Sequence, residues 1–409
     1  MLWKSALIFT TGALVLLLGV CCLPNPFSSD MYFHHHSTFS EPMRRKLEHS
    51  YPSLNQTTQH DPVNVAFLGN SFTYFNDLPR FFEALSQGRV VQDSCLRGGA
   101  SISGLARRGN SMLPKFKTRP AVLGKVNRHV IYDYGACTIE QLLTGRPFQR
   151  RERHKKAKWE REPDNLDPCS EDHVYASFAN AFYAQHPQNW TYIVISDASD
   201  SPALAHGRKS ALASLHRDYL PLIKETGARP ILLWTHAYPP YGWTANALRR
   251  KGLGDVANFT SLVGAGYRAY ERLLTRSLPS NQRPRVVPAA LGFLTVYEER
   301  PELWWRMLDQ ADRIHSSPHG TYLTGLFLYG TIMGHLPPRM ESVRHPALFW
   351  KEARVMQHAW EQTNPMVTMK DAEYLYEIAE RVLLHGYVPP SYIEYQNGEV
   401  ATEQKRKHA

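Results

Sequence analysis

The residue of this sequence best placed to do chemistry is Ser71. It follows an apolar segment, Val63 to Leu68, that is rich in β-branched and aromatic residues and stops at Gly69 and Asn70. Such a segment predicts a buried strand, and open α/β sheets place their functional groups at the carboxyl ends of strands. Because Gly69 has no Cβ, the chain can turn there and leave the Ser71 hydroxyl facing a crevice. Ser71 is therefore a candidate nucleophile, although turns of this type also occur without catalysis.

A serine nucleophile needs a base to take its proton, an acid to orient that base, and donors for the oxyanion. Asp312 and His315 stand three residues apart, just before an apolar segment with helical character. Pro318 suits the first turn of that helix, so His315 is expected on the preceding loop. We predict that the Asp312 carboxylate contacts one imidazole nitrogen of His315 and that the other nitrogen reaches Ser71.

Metal ligation by His315 and His319 is the competing interpretation of this segment. Zinc sites use such imidazole pairs, but they need further carboxylate or cysteine ligands, and none is evident here. Pro318 also lies between the two histidines, which argues against both projecting from the interior of one helix. We therefore predict neither a metal nor an organic cofactor.

Strand-like segments recur along the chain with helix-like segments between several of them. This alternation predicts an α/β fold with a parallel sheet of about five strands covered on both faces. The predicted strands are Val63–Leu68, Arg89–Leu96, Tyr192–Ser196, Pro230–Trp234 and Arg285–Ala289. The predicted helices are Leu78–Gln87, Ile139–Leu143, Lys209–Thr226, Ala265–Arg276, Thr321–Met333 and an amphipathic helix over Thr368–Leu384.

Two more turns follow predicted strands and could supply oxyanion donors. Gly98 and Gly99 come after the second strand, where a glycine amide could point into the crevice. Ser199 lies in the polar turn Ser196–Pro202 after the third strand, where its hydroxyl could donate. Each of these segments is also compatible with a simple turn.

Together these segments resemble the SGNH (GDSL-like) hydrolase superfamily, in particular an uncharacterised branch whose first block reads Gly-Asn-Ser-Phe-Thr. Gly69–Thr73 matches that block, and Asp312, His315, Ser317 and Gly320 match the last one. The resemblance runs from about residue 63 to 334 and excludes an insertion at about 107–170. Further matching residues are Tyr74, Asn76–Pro79, Trp190, Trp234, Thr235, Val287, Pro288, Tyr322 and Leu323.

The resemblance implies a three-layer α/β/α sandwich of the flavodoxin-like type, with Ser71 as nucleophile, His315 as base and Asp312 as its orienting acid. It implies the amides of Ser71 and Gly99 as oxyanion donors. The third block of the superfamily usually provides an asparagine, whereas this chain has Ser199 there. A hydroxyl can donate one hydrogen bond, and loss of a donor typically lowers the rate about 10²–10³-fold.

The N-terminal segment predicts entry into the secretory pathway. Residues 6–23 contain no charge and follow Lys4, which is typical of a signal peptide or a single-pass signal anchor over residues 1–23. A polar stem at 24–61, a hydrolase-like domain at 62–340 and a helical extension with a charged tail at 341–409 are expected to follow. Glycosylation sequons at Asn55, Asn189 and Asn258 agree with this compartment.

Cysteines and charge add two expectations. Cys137 and Cys169 flank a polar stretch and could pair, whereas Cys95 is expected to be a free thiol in a buried strand. The segment Arg146–Arg161 has eight basic and two acidic residues. It is either a solvated loop or a patch for an anionic partner. With few aromatic residues in it, we expect no nucleic-acid binding.

The predicted function is a serine esterase that removes acyl groups, most plausibly O-acetyl groups on carbohydrate. A lipid ester is the alternative substrate, because Tyr74, Phe75, Tyr238, Tyr241 and Trp243 suit a sugar ring or an acyl chain equally. An acyl transferase shares the same three residues. A non-catalytic binder of anionic glycans that keeps the fold is the interpretation from a different class of function.

Overall fold

The computed structural model describes residues 62–111, 122–126, 129–149, 168–170, 174–185, 189–344 and 364–395. The predicted signal segment, the stem, residues 150–161 of the basic segment and the charged tail lie outside these ranges. Within them, no helix combines the length and apolar character that a membrane crossing requires.

The core of the protein is a five-stranded sheet whose neighbouring strands are all parallel, in the order β2-β1-β5-β6-β7. Its strands are β1 (Val63–Gly69), β2 (Val90–Leu96), β5 (Tyr192–Ile195), β6 (Arg229–Leu233) and β7 (Arg285–Val287). All five were predicted, to within two residues at each end. A separate antiparallel ribbon, β3 (Val122–Val126) and β4 (His129–Tyr132), lies in the insertion and was not predicted.

Helices cover both faces of this sheet, so the predicted α/β class is confirmed. The central strands read as continuous apolar runs because both of their faces are buried, and Val65, Ala66 and Phe67 of β1 are fully buried. The helices are α1 (Ser71–Tyr74), α2 (Leu78–Leu85), α3 (Ile102–Arg108), α4 (Ile139–Thr144), α5 (Val174–Gln185), α6 (Ala205–Ser214), α7 (Leu220–Thr226), α8 (Ala245–Arg250), α9 (Val256–Ser277), α10 (Ala289–Glu299), α11 (Pro301–Met307), α12 (Pro318–Met333), α13 (Arg339–Arg344) and α14 (Met369–Leu384).

The strand order reverses at β1, which has β2 on one side and β5 on the other. In open α/β sheets this reversal opens a crevice at the carboxyl ends of the strands, because the following connections leave in opposite directions. Here α2, α10, α12 and α14 pack on one side of the sheet, and α3, α4, α6, α7 and α9 pack on the other. The residues that follow β1, β2 and β5 therefore meet at one place.

Several helices differ from their predicted extent. Helix α9 begins at Val256, nine residues before the predicted start, because Asp255 caps it by accepting a hydrogen bond from the Asn258 amide. The predicted Lys209–Thr226 helix contains a π-helical turn at Leu215–Tyr219. Helix α10 was not predicted, because its residues 289–296 are all buried and show no amphipathic period.

The two described sequons differ in accessibility. Asn189 is exposed just before β5. Asn258 lies in the first turn of α9, where its side-chain amide donates to the Gly252 carbonyl, and Thr260 of the same sequon is buried. Of these two, only Asn189 is presented in a form that a glycosylating enzyme can reach.

A disulfide joins Cys137 to Cys169, as the sequence allowed, and both residues are buried. The bond closes a loop of 32 residues that contains the basic segment. Cys95 is buried in β2 and takes no part in this disulfide, as predicted.

Breaking this disulfide is expected to lower the free energy of unfolding by about 2–4 kcal/mol, because the unfolded chain regains the freedom of the closed loop. Urea unfolding with and without a reductant measures the effect. The Cys137→Ser/Cys169→Ser protein should be insensitive to reductant, while Cys95→Ala should keep the full sensitivity of the wild type. A wild type equally stable in both conditions contradicts the prediction.

Candidate active site

Ser71 is the first residue of α1, directly after the carboxyl end of β1, at the point where the strand order reverses. Asn70 caps this helix by accepting from the Phe72 amide at 3.0 Å, and it donates to the Ala100 carbonyl at 3.1 Å. Gly69 is required because a Cβ there would lie 2.3 Å from Thr73 Oγ1. The turn that presents Ser71 is therefore fixed to the turn that follows β2.

Asp312 and His315 lie on a short closed loop, residues 309–315. The loop is closed at its neck by an antiparallel bridge between Leu308 and Ser316. The Asp309 amide donates to the His315 carbonyl at 2.7 Å, and the Arg313 amide donates to the Asp309 carbonyl at 2.8 Å. These bonds fold the loop so that the side chains of Asp312 and His315 lie on the same side of it.

The Asp312 carboxylate lies 2.5 Å from Nδ1 of His315 and also accepts from the amides of Ile314 and His315 at 2.8 and 3.0 Å. Burial raises the pKa of Asp312, but the hydrogen bonds and charge of His315 outweigh it, so the net pKa lies below its usual value. Since an ionised carboxylate only accepts, Nδ1 carries a proton and Nε2 of His315 is the basic nitrogen.

The imidazole of His315 packs directly on the segment that begins with Ser71. The Phe75 ring stacks on it face to face, with centroids 3.7 Å apart and planes at 8°, and the Phe72 ring lies 5.5 Å away. Phe75 ends the helical turn that begins at Ser71, and its amide donates to the Ser71 carbonyl. The side-chain amide of Asn76 also donates to the Ser316 carbonyl at 2.8 Å. The structure thus brings the two predicted regions together.

The predicted oxyanion donors Gly99 and Ser199 follow β2 and β5, the two neighbours of β1 in the sheet. Gly99 adopts a φ of +61°, which favours glycine, and a Cβ added there would meet no atom within 4 Å. Its amide donates to no acceptor among the described residues. The Ser71 amide, at the first position of a helix, has no intrahelical acceptor. The Ser199 hydroxyl lies 3.0 Å from the Tyr238 hydroxyl.

Two buried polar residues that sequence reasoning missed hold the loops of the site. Asp197, two residues after β5, accepts from the amides of Ile102 and Ala198 at 2.9 and 2.8 Å and from the Tyr270 hydroxyl at 2.8 Å. Burial raises the pKa of Asp197 to about 6, although these hydrogen bonds oppose the rise. One carboxylate therefore fixes the start of α3 and the turn that carries Ser199.

His236 is the second of these residues. It follows β6, stacks on Phe293 with ring centroids 4.2 Å apart, and its Nε2 lies 2.9 Å from the Ile314 carbonyl. Burial lowers the pKa of His236 to about 4, so the ring is neutral and Nε2–H donates to that carbonyl. Both residues lie within three residues of a strand end, and this position was the signal that could have revealed them.

His319 contacts a different carboxylate from the one that contacts His315. It is fully buried, its Nε2 lies 3.2 Å from the Asp371 carboxylate, and Arg306 donates to the same carboxylate. Among the described residues, no three histidine, cysteine or acidic side chains are grouped closely enough to hold a metal ion.

The five aromatic residues proposed for substrate contact fall into two groups. Tyr74, Phe75 and Tyr238 are buried, whereas Tyr241 is 51% exposed. The side chain of Trp243 lies outside the described part of the chain.

Comparison with known proteins gives two partial structural similarities. The chain is similar to a candidate SGNH hydrolase from Slackia heliotrinireducens, with a TM-score of 0.37 and 17% identity over 66% of this chain and 100% of that one. It is also similar to a DUF4886 family protein from Bacteroides uniformis, with a TM-score of 0.43 and 13% identity over 80% of this chain and 98% of that one. No family model and no curated protein matches the chain. Structural similarities with TM-scores this low carry no information about activity.

The shifted pKa values of Asp197 and His236 predict opposite pH dependences of stability. Between about pH 4 and 6, folded Asp197 binds a proton that the unfolded chain lacks, while folded His236 lacks a proton that the unfolded chain binds. The two effects cancel in the wild type. Relative to it, Asp197→Asn should lose about 2 kcal/mol of stability from pH 6 to 4.5, and His236→Gln should gain a similar amount.

Urea unfolding at intervals across this pH range tests the prediction. The comparison is the difference between each variant and the wild type, since other carboxylates titrate equally in all three proteins. Difference profiles that are flat, or that slope in the same direction, would show that the two groups are not titrating as described.

Proposed function

We propose that this protein is a serine esterase in which Ser71 is the nucleophile, His315 the base and Asp312 its orienting acid. The observation that carries the proposal is the contact between the 309–315 loop and α1. An imidazole oriented by a carboxylate is stacked on Phe75, which directly follows the helical turn that begins with Ser71. This arrangement supports a hydroxyl, a base and an acid that act in the order acyl transfer requires.

The reaction proceeds in two halves. Ser71 Oγ attacks the ester carbonyl while Nε2 of His315 takes its proton, and Asp312 stabilises the resulting imidazolium. The oxyanion accepts from the amides of Ser71 and Gly99 and from the Ser199 hydroxyl. His315 then protonates the departing alcohol, and water, activated by the same imidazole, releases the acid from the acyl-enzyme. None of these steps needs a metal or an organic cofactor.

The proposed setting is the secretory pathway, and the proposed bonds are O-acetyl esters on carbohydrate. The disulfide between Cys137 and Cys169 supports an oxidising compartment, because such bonds rarely persist in the cytosol. The three active-site residues suit an acyl transferase equally, and only the identity of the acyl acceptor separates the two reactions.

Replacing Ser71 by alanine should abolish labelling by a fluorophosphonate probe and lower kcat for p-nitrophenyl acetate at least about 10⁴-fold, since the covalent step is lost. Asp312→Asn should lower kcat about 10³–10⁴-fold while leaving KM nearly unchanged. Ser210→Ala, at a serine on α6, is the matched control and should label like the wild type. Labelling that persists in Ser71→Ala would exclude this nucleophile. Wild-type protein that neither labels nor turns over the ester would favour a non-catalytic binder.

The Ser199 hydroxyl is expected to act as an oxyanion donor oriented by Tyr238. Burial raises the pKa of Tyr238 to about 12, so its hydroxyl keeps its proton and can donate to Ser199 Oγ. Ser199→Ala should then lower kcat about 10²-fold, and Tyr238→Phe should lower it by a smaller factor.

Ser199→Asn provides the control, because it replaces one donor by another and should retain most of the activity. Steady-state kinetics on p-nitrophenyl acetate separate these effects from KM. Equal kcat values for Ser199→Ala and wild type would remove Ser199 from the oxyanion site.

A further inference from the structure

An exposed pair of aromatic rings lies beside the 309–315 loop. Tyr241 and Trp305 are 51% and 39% exposed, and their rings meet edge to face with centroids 6.3 Å apart. The ring of the buried Trp304 packs edge to face against the Trp305 ring, with centroids 5.2 Å apart. Water-exposed aromatic rings that are fixed in place and touch each other are typical of recognition surfaces.

Arg313 adds a positive charge to this pair. It stands between the two proposed catalytic residues of the loop, with a φ of +58°, which is uncommon for a residue with a side chain. Its guanidinium carbon lies 5.6 Å from the centre of the Trp305 ring, and Nη1 donates to the Trp305 carbonyl at 3.1 Å.

Arg313 forms no ion pair with any residue in the described part of the chain. One of its donors is used by Trp305, and a guanidinium has five in a planar fork. The remaining donors can bind a carboxylate in a bidentate manner.

We propose that Tyr241, Trp305 and Arg313 form a substrate subsite, the aromatic shelf, for a pyranose ring that bears a carboxylate. The apolar C–H face of the sugar stacks on Trp305 and Tyr241, and the carboxylate pairs with Arg313. Because Arg313 adjoins Asp312 in the chain, a glycan on the shelf extends towards the catalytic loop. The inference rests on the proposed esterase function and narrows its substrate class from acyl esters in general to O-acetylated acidic glycans.

Binding is tested in the full-length Ser71→Ala protein, where turnover cannot interfere. The probes are tri-galacturonic acid and the uncharged trisaccharide maltotriose, measured by calorimetry. Tri-galacturonic acid should bind at least tenfold more tightly than maltotriose, and Trp305→Ala or Arg313→Gln should weaken its binding at least tenfold. Trp305→Phe keeps a ring and should lose less.

Matched controls are Tyr387→Ala, a half-buried aromatic residue after α14 whose ring Arg381 covers, and Arg250→Gln, an exposed cation on α8. Both should bind like the parent, and thermal unfolding of every variant verifies its fold. Three outcomes would overturn the proposal. The shelf and control variants could lose affinity for tri-galacturonic acid equally, the two trisaccharides could bind equally tightly, or the folded parent could bind neither.

Turnover separates a failure of the shelf from a failure of the esterase. In proteins with Ser71 intact, Trp305→Ala and Arg313→Gln should lower kcat/KM for O-acetylated oligogalacturonate at least tenfold relative to kcat/KM for p-nitrophenyl acetate. If the wild type hydrolyses p-nitrophenyl acetate but neither binds nor prefers the acidic glycan, the proposed esterase activity stands and the proposed aromatic shelf is wrong. Faster turnover of p-nitrophenyl octanoate than of either substrate overturns it in favour of a lipid ester.

Discussion

The geometry of the site depends on one packing interaction, the stack of Phe75 on His315. The sheet alone positions only the groups that follow its strands, whereas the 309–315 loop belongs to no strand and must be held from outside. Phe75 holds the plane of the imidazole, Asp312 holds one edge of it, and the amide of Asn76 holds the backbone of the following Ser316 across 240 residues of sequence. Since Phe75 and Asp312 contact the ring itself and Asn76 fixes the backbone next to it, the imidazole has little freedom to rotate.

Two buried polar residues, Asp197 and His236, hold the loops around this contact in place by hydrogen bonds. Asp197 binds amides on two different turns, and His236 binds the carbonyl of the residue before His315. Both are unfavourable to bury, which their displaced pKa values express in opposite directions. A buried polar group with all of its partners fixes a geometry more sharply than an apolar contact, because misalignment leaves it unsatisfied. Asp197 and His236 therefore fix the geometry of the site and do not serve to stabilise the core.

Local pattern was enough to predict the sheet and the residues at its edge. The β-branched runs marked all five strands, and the turns after them led to Ser71, Gly99 and Ser199, because strand ends are encoded by adjacent residues. The stack of Phe75 on His315 could not be predicted, since nothing in either segment indicates which aromatic residue will face the imidazole. Helix α10 was missed for a related reason: a helix buried on all sides has no polar face to reveal its period. Asp197 and His236 were visible as polar residues after strands, but their role depends on partners elsewhere in the chain.

The helix that follows His315, the proposed base, also depends on a distant segment. Ser317 caps α12, and two residues later His319 is fully buried against Asp371 of α14. Arg306 of α11 donates to the same carboxylate, so three helices converge on one anion directly behind the 309–315 loop. Because α12 starts only three residues after His315, any shift of its first turn moves the imidazole relative to Phe75. The second histidine of the Asp312–Gly320 segment thus supports the first turn of α12, and α14 takes part in positioning His315, which lies more than fifty residues before it in the chain.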